Sequence, residues 1–151
     1  MLLATGLGVG WSPLAPGTWG TLWGLPLAWG LAELPSVGWR LAVLVALFLI
    51  GVPVCSYAAD RLGGKDPGAV VLDEIVALPL ALVFVPFTFW TAVLAFVLFR
   101  FFDISKLPPV GYAERLPRGW GVMADDIVAG GYAAVVLYVL VVLFPSLVTG
   151  G

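Results

Sequence analysis

The sequence predicts an all-α membrane protein, a single-domain polytopic bundle (1–151) of about five hydrophobic helices. Three observations carry that expectation. Of 151 residues, 62% are hydrophobic and 11% charged, against about 45–50% apolar and about 25% charged in soluble domains. Mean hydropathy is +1.09. Three runs, 41–59, 75–99 and 127–151, contain no charged residue, and about 20 apolar residues span a bilayer.

The elements follow in order. A Gly/Pro-rich leader, uncharged throughout, enters a first helix at 18–33. The run after Arg40 predicts a second at 38–59. The 25-residue run 75–99 is read as a short hairpin with its turn at "VPFTFW", because Pro86 breaks a helix interior and pushes the residue before it out of the α region. Its arms are 68–86 and 88–106, short spans that local thinning of the bilayer accommodates. The rival is one kinked helix, which would put the flanking charged segments on opposite faces. A last helix is predicted at 122–147. A cleavable signal peptide is not expected, since the first 32 residues hold no Lys or Arg.

The charges are confined. Six lie in 60–74, eight in 100–126, and only Glu33 and Arg40 elsewhere. With the hairpin, 1–17, 60–67 and 107–121 share one side, together with Arg61, Lys65, Lys106, Arg115 and Arg118. Arg40 lies opposite. The positive-inside rule makes the charged side cytoplasmic, so the expected location is the cell's inner membrane. Net charge is −2 and there is no histidine, so no basic field suggests nucleic acid. The single cysteine, Cys55, excludes an internal disulfide and a cysteine-cluster metal site.

"AVVLDEIVAL" (69–78) and "GVMADDIVAG" (121–130) align without gaps, each placing two acids before "IVA". Acids in a first helical turn favour the positive dipole end, which is the bland explanation. "KDPG" reads as an Asp66 N-cap with Pro67 at the first helical position. A helix starting there puts Asp73 and Glu74 nearly two turns in, where capping no longer explains them. For Asp125 and Asp126, close to the predicted start at 122, capping remains a competitor. Adjacent helical residues point about 100° apart, so one acid of each pair is expected to face the bundle. Acids at membrane depth cost at least ~2.5 kcal/mol and are functional candidates.

In "FRFFDISK", Arg100, Asp103 and Lys106 fall on roughly one helix face. They are either a self-neutralising row or an acid for a metal flanked by cations for an anion. Four or five carboxylates without His or Cys specify a hard, oxygen-ligated ion. Mg²⁺ prefers one or two protein carboxylates plus water and phosphate oxygens, and such an ion polarises a phosphoryl oxygen. The leader "GLGVGWSPLAPGTWGT" (6–21) lacks GK[ST] and is no Walker A loop. It reads either as a turn-rich approach to a helix or as an anion nest of free N–H groups, with Ser12, Gly17, Thr18 and Thr21 as its donors.

"GWSPLAPGTWGTLWGLPL", "DPGAVVLDEIVAL", "LFRFFDISK" and "ERLPRGWGVMADDIVAG", in this order and spacing, resemble the phosphatidylglycerophosphatase A family from about Gly6 to the last span. The chain departs from the pattern where Leu107 intervenes in "SKLPP" and where Ala77 stands after "DEIV", without loss of a charged group. The resemblance implies an all-helical, Mg²⁺-dependent lipid phosphatase that converts phosphatidylglycerophosphate to phosphatidylglycerol within the bilayer. The expected metal ligands are Asp73, Glu74, Asp103, Asp125 and Asp126, with Asp73, Asp103 and Asp126 as the catalytic carboxylates. Ser12, Gly17, Thr18, Thr21, Lys65, Arg100 and Lys106 are expected to hold phosphate, and Trp90, Phe99 and Phe101 to wall the acyl chains. Water or a carboxylate is the nucleophile, and a homo-oligomer stays open. The rival classes are an ion-coupled transporter, whose acids would bind the travelling cation, and a non-catalytic membrane subunit.

Overall fold

The computed structural model describes residues 1–64 and 67–149. The chain is all-helical among those residues: α1 (Pro16–Ala32), α2 (Val37–Leu62), α3 (Leu72–Leu82), α4 (Phe89–Ser105), the single turn α5 (Val110–Ala113), α6 (Gly119–Leu143) and the short α7 (Ser146–Thr149), preceded by a 3₁₀ turn at Val9–Trp11.

Local chemistry sets most of the boundaries. Pro16 opens α1, where its missing N–H costs nothing. Ser36 caps α2 by accepting from the Trp39 amide, and Gly63 ends it in the left-handed conformation. At α4, Thr88 and Thr91 exchange side-chain and backbone hydrogen bonds in a capping box. The Thr91 hydroxyl also donates to the Pro86 carbonyl at 2.8 Å. That break at Pro86 separates α3 from α4, as the hairpin expectation required.

The long helices run alternately between two ends. Gly17, Asp73, Arg100, Lys106 and Asp126 meet at one end, while Arg40 reaches Val83, Ala32 and Leu34 at the other. The centre of the bundle is α3, the shortest of the five. It packs against α1, α2, α4 and α6 and buries Val76, Ala77, Leu78, Pro79, Ala81 and Leu82. Phe99, Ala129, Ala133 and Leu137 close one side of it, and Cys55 and Met123 the other. Residue 119 is glycine because α6 begins against α2: a side chain there would meet the Val52 carbonyl and Ser56, and the Gly119 amide donates to Ser56 Oγ at 3.0 Å.

Two expectations on boundaries are corrected. The arm placed at 68–86 is only Leu72–Leu82. Pro67 is not helical, so it does not sit at a first helical position, and Asp66 lies outside the described residues. The start is fixed from a distance: the Ala4 carbonyl accepts from the Val71 and Leu72 amides at 2.9 and 3.2 Å. Asp73 and Glu74 therefore fall in the first turn. The last helix starts at Gly119 rather than 122, which moves Asp125 and Asp126 nearly two turns in, beyond the reach of capping.

Of five predicted membrane helices, two are long and apolar enough to cross a bilayer among the described residues, α2 and α6. At 1.5 Å per residue, α3 covers only about 16 Å. Only 28% and 33% of the most apolar windows of α2 and α6 is buried, so their apolar faces point outward, unlike the core helix of a soluble protein. All seven tryptophans are exposed. Trp11, Trp19 and Trp120 lie near the acidic end, and Trp29, Trp39 and Trp90 near the other. Exposed tryptophans are typical of surfaces that meet a membrane interface, and the chain is membrane-associated.

Arg40 bridges three helices. Its guanidinium donates to the Val83 carbonyl at 3.2 Å, Ala32 at 2.9 Å and Leu34 at 3.4 Å, satisfying carbonyls that the ends of α1 and α3 leave open. Arg40→Met is expected to cost about 2–4 kcal/mol of stability, because unsatisfied buried acceptors cost about 1–3 kcal/mol each. Denaturant unfolding in micelles measures it.

Candidate active site

Two features bring the acids together. α3 starts late enough to put Asp73 and Glu74 at its head, and α6 starts early enough to carry Asp126 down beside them. A carboxylate oxygen from each of Asp73, Glu74 and Asp126 lies within 4.8 Å of the others. Asp73 is 6% exposed and Asp126 3%. Asp73 Oδ1, Glu74 Oε2 and Asp126 Oδ2 are buried without a hydrogen-bond partner. Both acids of the first pair thus contribute, against the expectation that one would turn away. The second pair divides: Asp125 Oδ2 accepts from Lys106 Nζ and Oδ1 from the Asp126 amide at 2.9 Å.

The rim is cationic. Arg100 Nη1 donates to Asp103 Oδ2 at 2.6 Å and lies 3.8 Å from Glu74 Oε1. Lys106 also stands 3.8 Å from Asp103 Oδ1. Burial disfavours the charged form of Lys106. The hydrogen bond and charge of Asp125, with Asp126 and Asp103 near, outweigh that and raise its pKa above the usual lysine value. It is cationic throughout the neutral range.

Asp73, Glu74, Asp103, Asp125, Asp126, Arg100, Lys106 and Gly17 all line one cavity of about 220 Å³. Pro16, Gly68 and Val70 complete it; these were missed, for they carry no titratable group and contribute by position. A larger cavity, about 630 Å³, opens at the opposite end beside Glu33 and Arg40. Arg40 Nη1 and Nη2 there donate to carbonyls, and no carboxylate cluster lines that cavity among the described residues.

The hydroxyl donors of the leader do not join the site. Ser12 bonds within its own turn, donating to the Leu14 carbonyl. Thr21 donates back to the Gly17 carbonyl at 2.7 Å, and neither it nor Thr18 lines the cavity. A helical threonine has its own preceding turn as the nearest acceptor. Lys65 lies outside the described residues. Phe99 is fully buried in the core and walls nothing, whereas Phe101 and Trp90 are exposed, the latter at the far end.

A membrane-associated helical bundle that closes on a buried three-carboxylate centre under a cationic rim is built to handle phosphoryl groups, and the comparisons agree. The phosphatidylglycerophosphatase A family model matches residues 2–141. The chain is 40% identical over 141 residues to phosphatidylglycerophosphatase A of Haemophilus influenzae, covering 92% of this chain and 86% of that protein. It is 40% identical to the protein of the same name from Escherichia coli, over 91% of this chain and 80% of the other. It is 37% identical to a Bacteroides thetaiotaomicron protein provisionally named phosphatidylinositol-3-phosphatase, over 92% and 91%. No solved structure matches. The chain belongs to the phosphatidylglycerophosphatase A family and is a lipid phosphatase. That membership sets aside the transporter and non-catalytic readings.

Proposed function

We propose that this enzyme hydrolyses phosphatidylglycerophosphate to phosphatidylglycerol and phosphate, as a step of phospholipid synthesis, with Mg²⁺ held by Asp73, Glu74 and Asp126. One observation carries the reading: carboxylate oxygens of Asp73, Glu74 and Asp126 converge within 4.8 Å of one another, each of these residues has a buried oxygen without a partner, and Arg100 stands 3.8 Å from Glu74. Like charges buried together are costly unless a cation joins them. The donor set is all oxygen, which fits a hard divalent ion. When bound, Mg²⁺ supplies a Lewis acid that polarises a phosphoryl oxygen and lowers the pKa of water.

The chain's own groups do the rest. Arg100 and Lys106 hold the phosphate oxygens, and positioning with electrostatic stabilisation carries most phosphoryl-transfer catalysis. Gly17 leaves room for the phosphate beside Glu74. Asp103 touches both cations and keeps them on one side of the site. Hydrolysis adds water at phosphorus, breaks the bond to the glycerol oxygen, and releases phosphate.

The purified protein in mixed micelles is expected to release phosphate from phosphatidylglycerophosphate with Mg²⁺ and to stop in EDTA. Equal release with EDTA would remove the metal. Faster turnover of phosphatidylinositol 3-phosphate would reassign the substrate.

The site faces the cytoplasm in this reading of a multi-pass bundle, because Arg61, Arg100, Lys106, Arg115 and Arg118 gather at its end while Arg40 stands at the other. The native Cys55 is fully buried, so engineered thiols report cleanly. In spheroplasts, Ser36→Cys is expected to react with an impermeant maleimide and Glu114→Cys to react only after lysis. The reverse pattern would turn the bundle over.

A further inference from the structure

Among the described residues five carboxylates line the cavity, but they are not equivalent. Asp73, Glu74 and Asp126 bring carboxylate oxygens within 4.8 Å of one another, and each keeps a buried oxygen without a partner. Asp125, buried to 3% exposure, has both oxygens engaged: Oδ2 by Lys106 Nζ and Oδ1 by the Asp126 amide. An ammonium and an amide thus occupy one site on each oxygen of that carboxylate, about half of its lone-pair capacity, and the ammonium bond is the charge-assisted one.

Lys106 is unusual in its own right. It ends α4 in the left-handed conformation at φ 49°, a place where glycine or asparagine is preferred. A lysine kept there, half-buried and swung onto Asp125, needs a reason beyond ending a helix. An ammonium has three donors. Asp125 takes one, Asp103 Oδ1 stands 3.8 Å away, and the cavity lies on the remaining side. Left alone, a four-carbon stem would wander; Asp125 fixes the head in place.

We propose that Asp125 is a positioning residue. It holds no metal itself and acts through Lys106, setting the ammonium at the edge of the acidic trio as a phosphate-binding group. The proposal rests on the metal and phosphate assignment made under Proposed function.

The test separates the two. Mn²⁺ binding to purified protein is followed by electron paramagnetic resonance. KM, kcat and inhibition by inorganic phosphate are followed in micelles. Asp125→Asn is expected to bind Mn²⁺ within about twofold of the parent. Its KM should rise by about 10-fold, the effect of roughly 1.4 kcal/mol of lost binding, with phosphate inhibition weakened by a similar factor and kcat changed less. Lys106→Met should reproduce that pattern, and the double variant should be no worse in KM than Lys106→Met alone. If Asp125→Asn does not fold, Lys106→Met alone decides, by normal Mn²⁺ binding with weakened phosphate inhibition. Loss of Mn²⁺ binding in Asp125→Asn, unaltered phosphate inhibition in Lys106→Met, or multiplying effects in the double variant overturn the proposal. Unchanged Mn²⁺ binding in Asp126→Asn overturns the trio assignment itself, and this proposal with it.

Discussion

Asp73→Asn is expected to abolish phosphate release while making the metal-free protein harder to unfold. Asp73 is 6% exposed, its Oδ1 has no partner, and oxygens of Glu74 and Asp126 lie within 4.8 Å. Two ionised carboxylates at that separation repel by roughly 3 kcal/mol at an effective dielectric of 20. Asparagine has the same shape and no charge, so it relieves the repulsion at once. On the proposed function it also removes an anionic ligand and part of the charge that would hold a cation in the trio. Turnover should fall at least ~10³-fold, equivalent to about 4 kcal/mol of transition-state stabilisation. The unfolding midpoint in EDTA should rise by a few degrees, about the shift that 1 kcal/mol gives a chain of this size. Opposite movements of activity and stability mark a functional strain. A variant that lost both together would make Asp73 an ordinary structural residue.

Gly17→Val should be nearly as damaging, though it alters no charge. A Cβ at residue 17 would sit 2.5 Å from Glu74 Oε1 and 3.1 Å from Arg100 Nη1. Ordinary contact begins near 3.4 Å, so Glu74 must give by up to about 1 Å and Arg100 by a few tenths of an ångström. A displacement of that size costs roughly 10²-fold in rate. The control lies in the same helix: Gly30 has nothing within 4 Å of a built Cβ. Gly30→Ala should therefore leave turnover intact and stabilise α1 by up to about 1 kcal/mol. Equal activity of the Gly17 and Gly30 variants in the micelle assay would remove α1 from the site.

The meeting of the acids was legible because chain order and charge segregation leave few alternatives. Once Pro86 is read as a turn, 60–74 and 100–126 must emerge together. The row Arg100, Asp103, Lys106 follows from helical spacing alone. The head of α3 was misread because its determinant is remote: "KDPG" carries a local start signal, whereas the Ala4 carbonyl, nearly seventy residues earlier in the chain, receives the first amides. Gly119 shows the same limit, since its close approach to Val52 is a property of packing. The leader hydroxyls stand away from the cavity for a related reason, composition being silent on which acceptor a threonine selects. Thr21 found one inside its own helix.

The early start of α6 has a spatial corollary. Asp126 lies seven residues past Gly119, so the first two turns of α6 stand about 10 Å above the trio, like a parapet. On the other flank α1 begins level with the acids, Gly17 lying against Glu74. The rim of the cavity is therefore uneven, high on the α6 flank and low on the α1 flank.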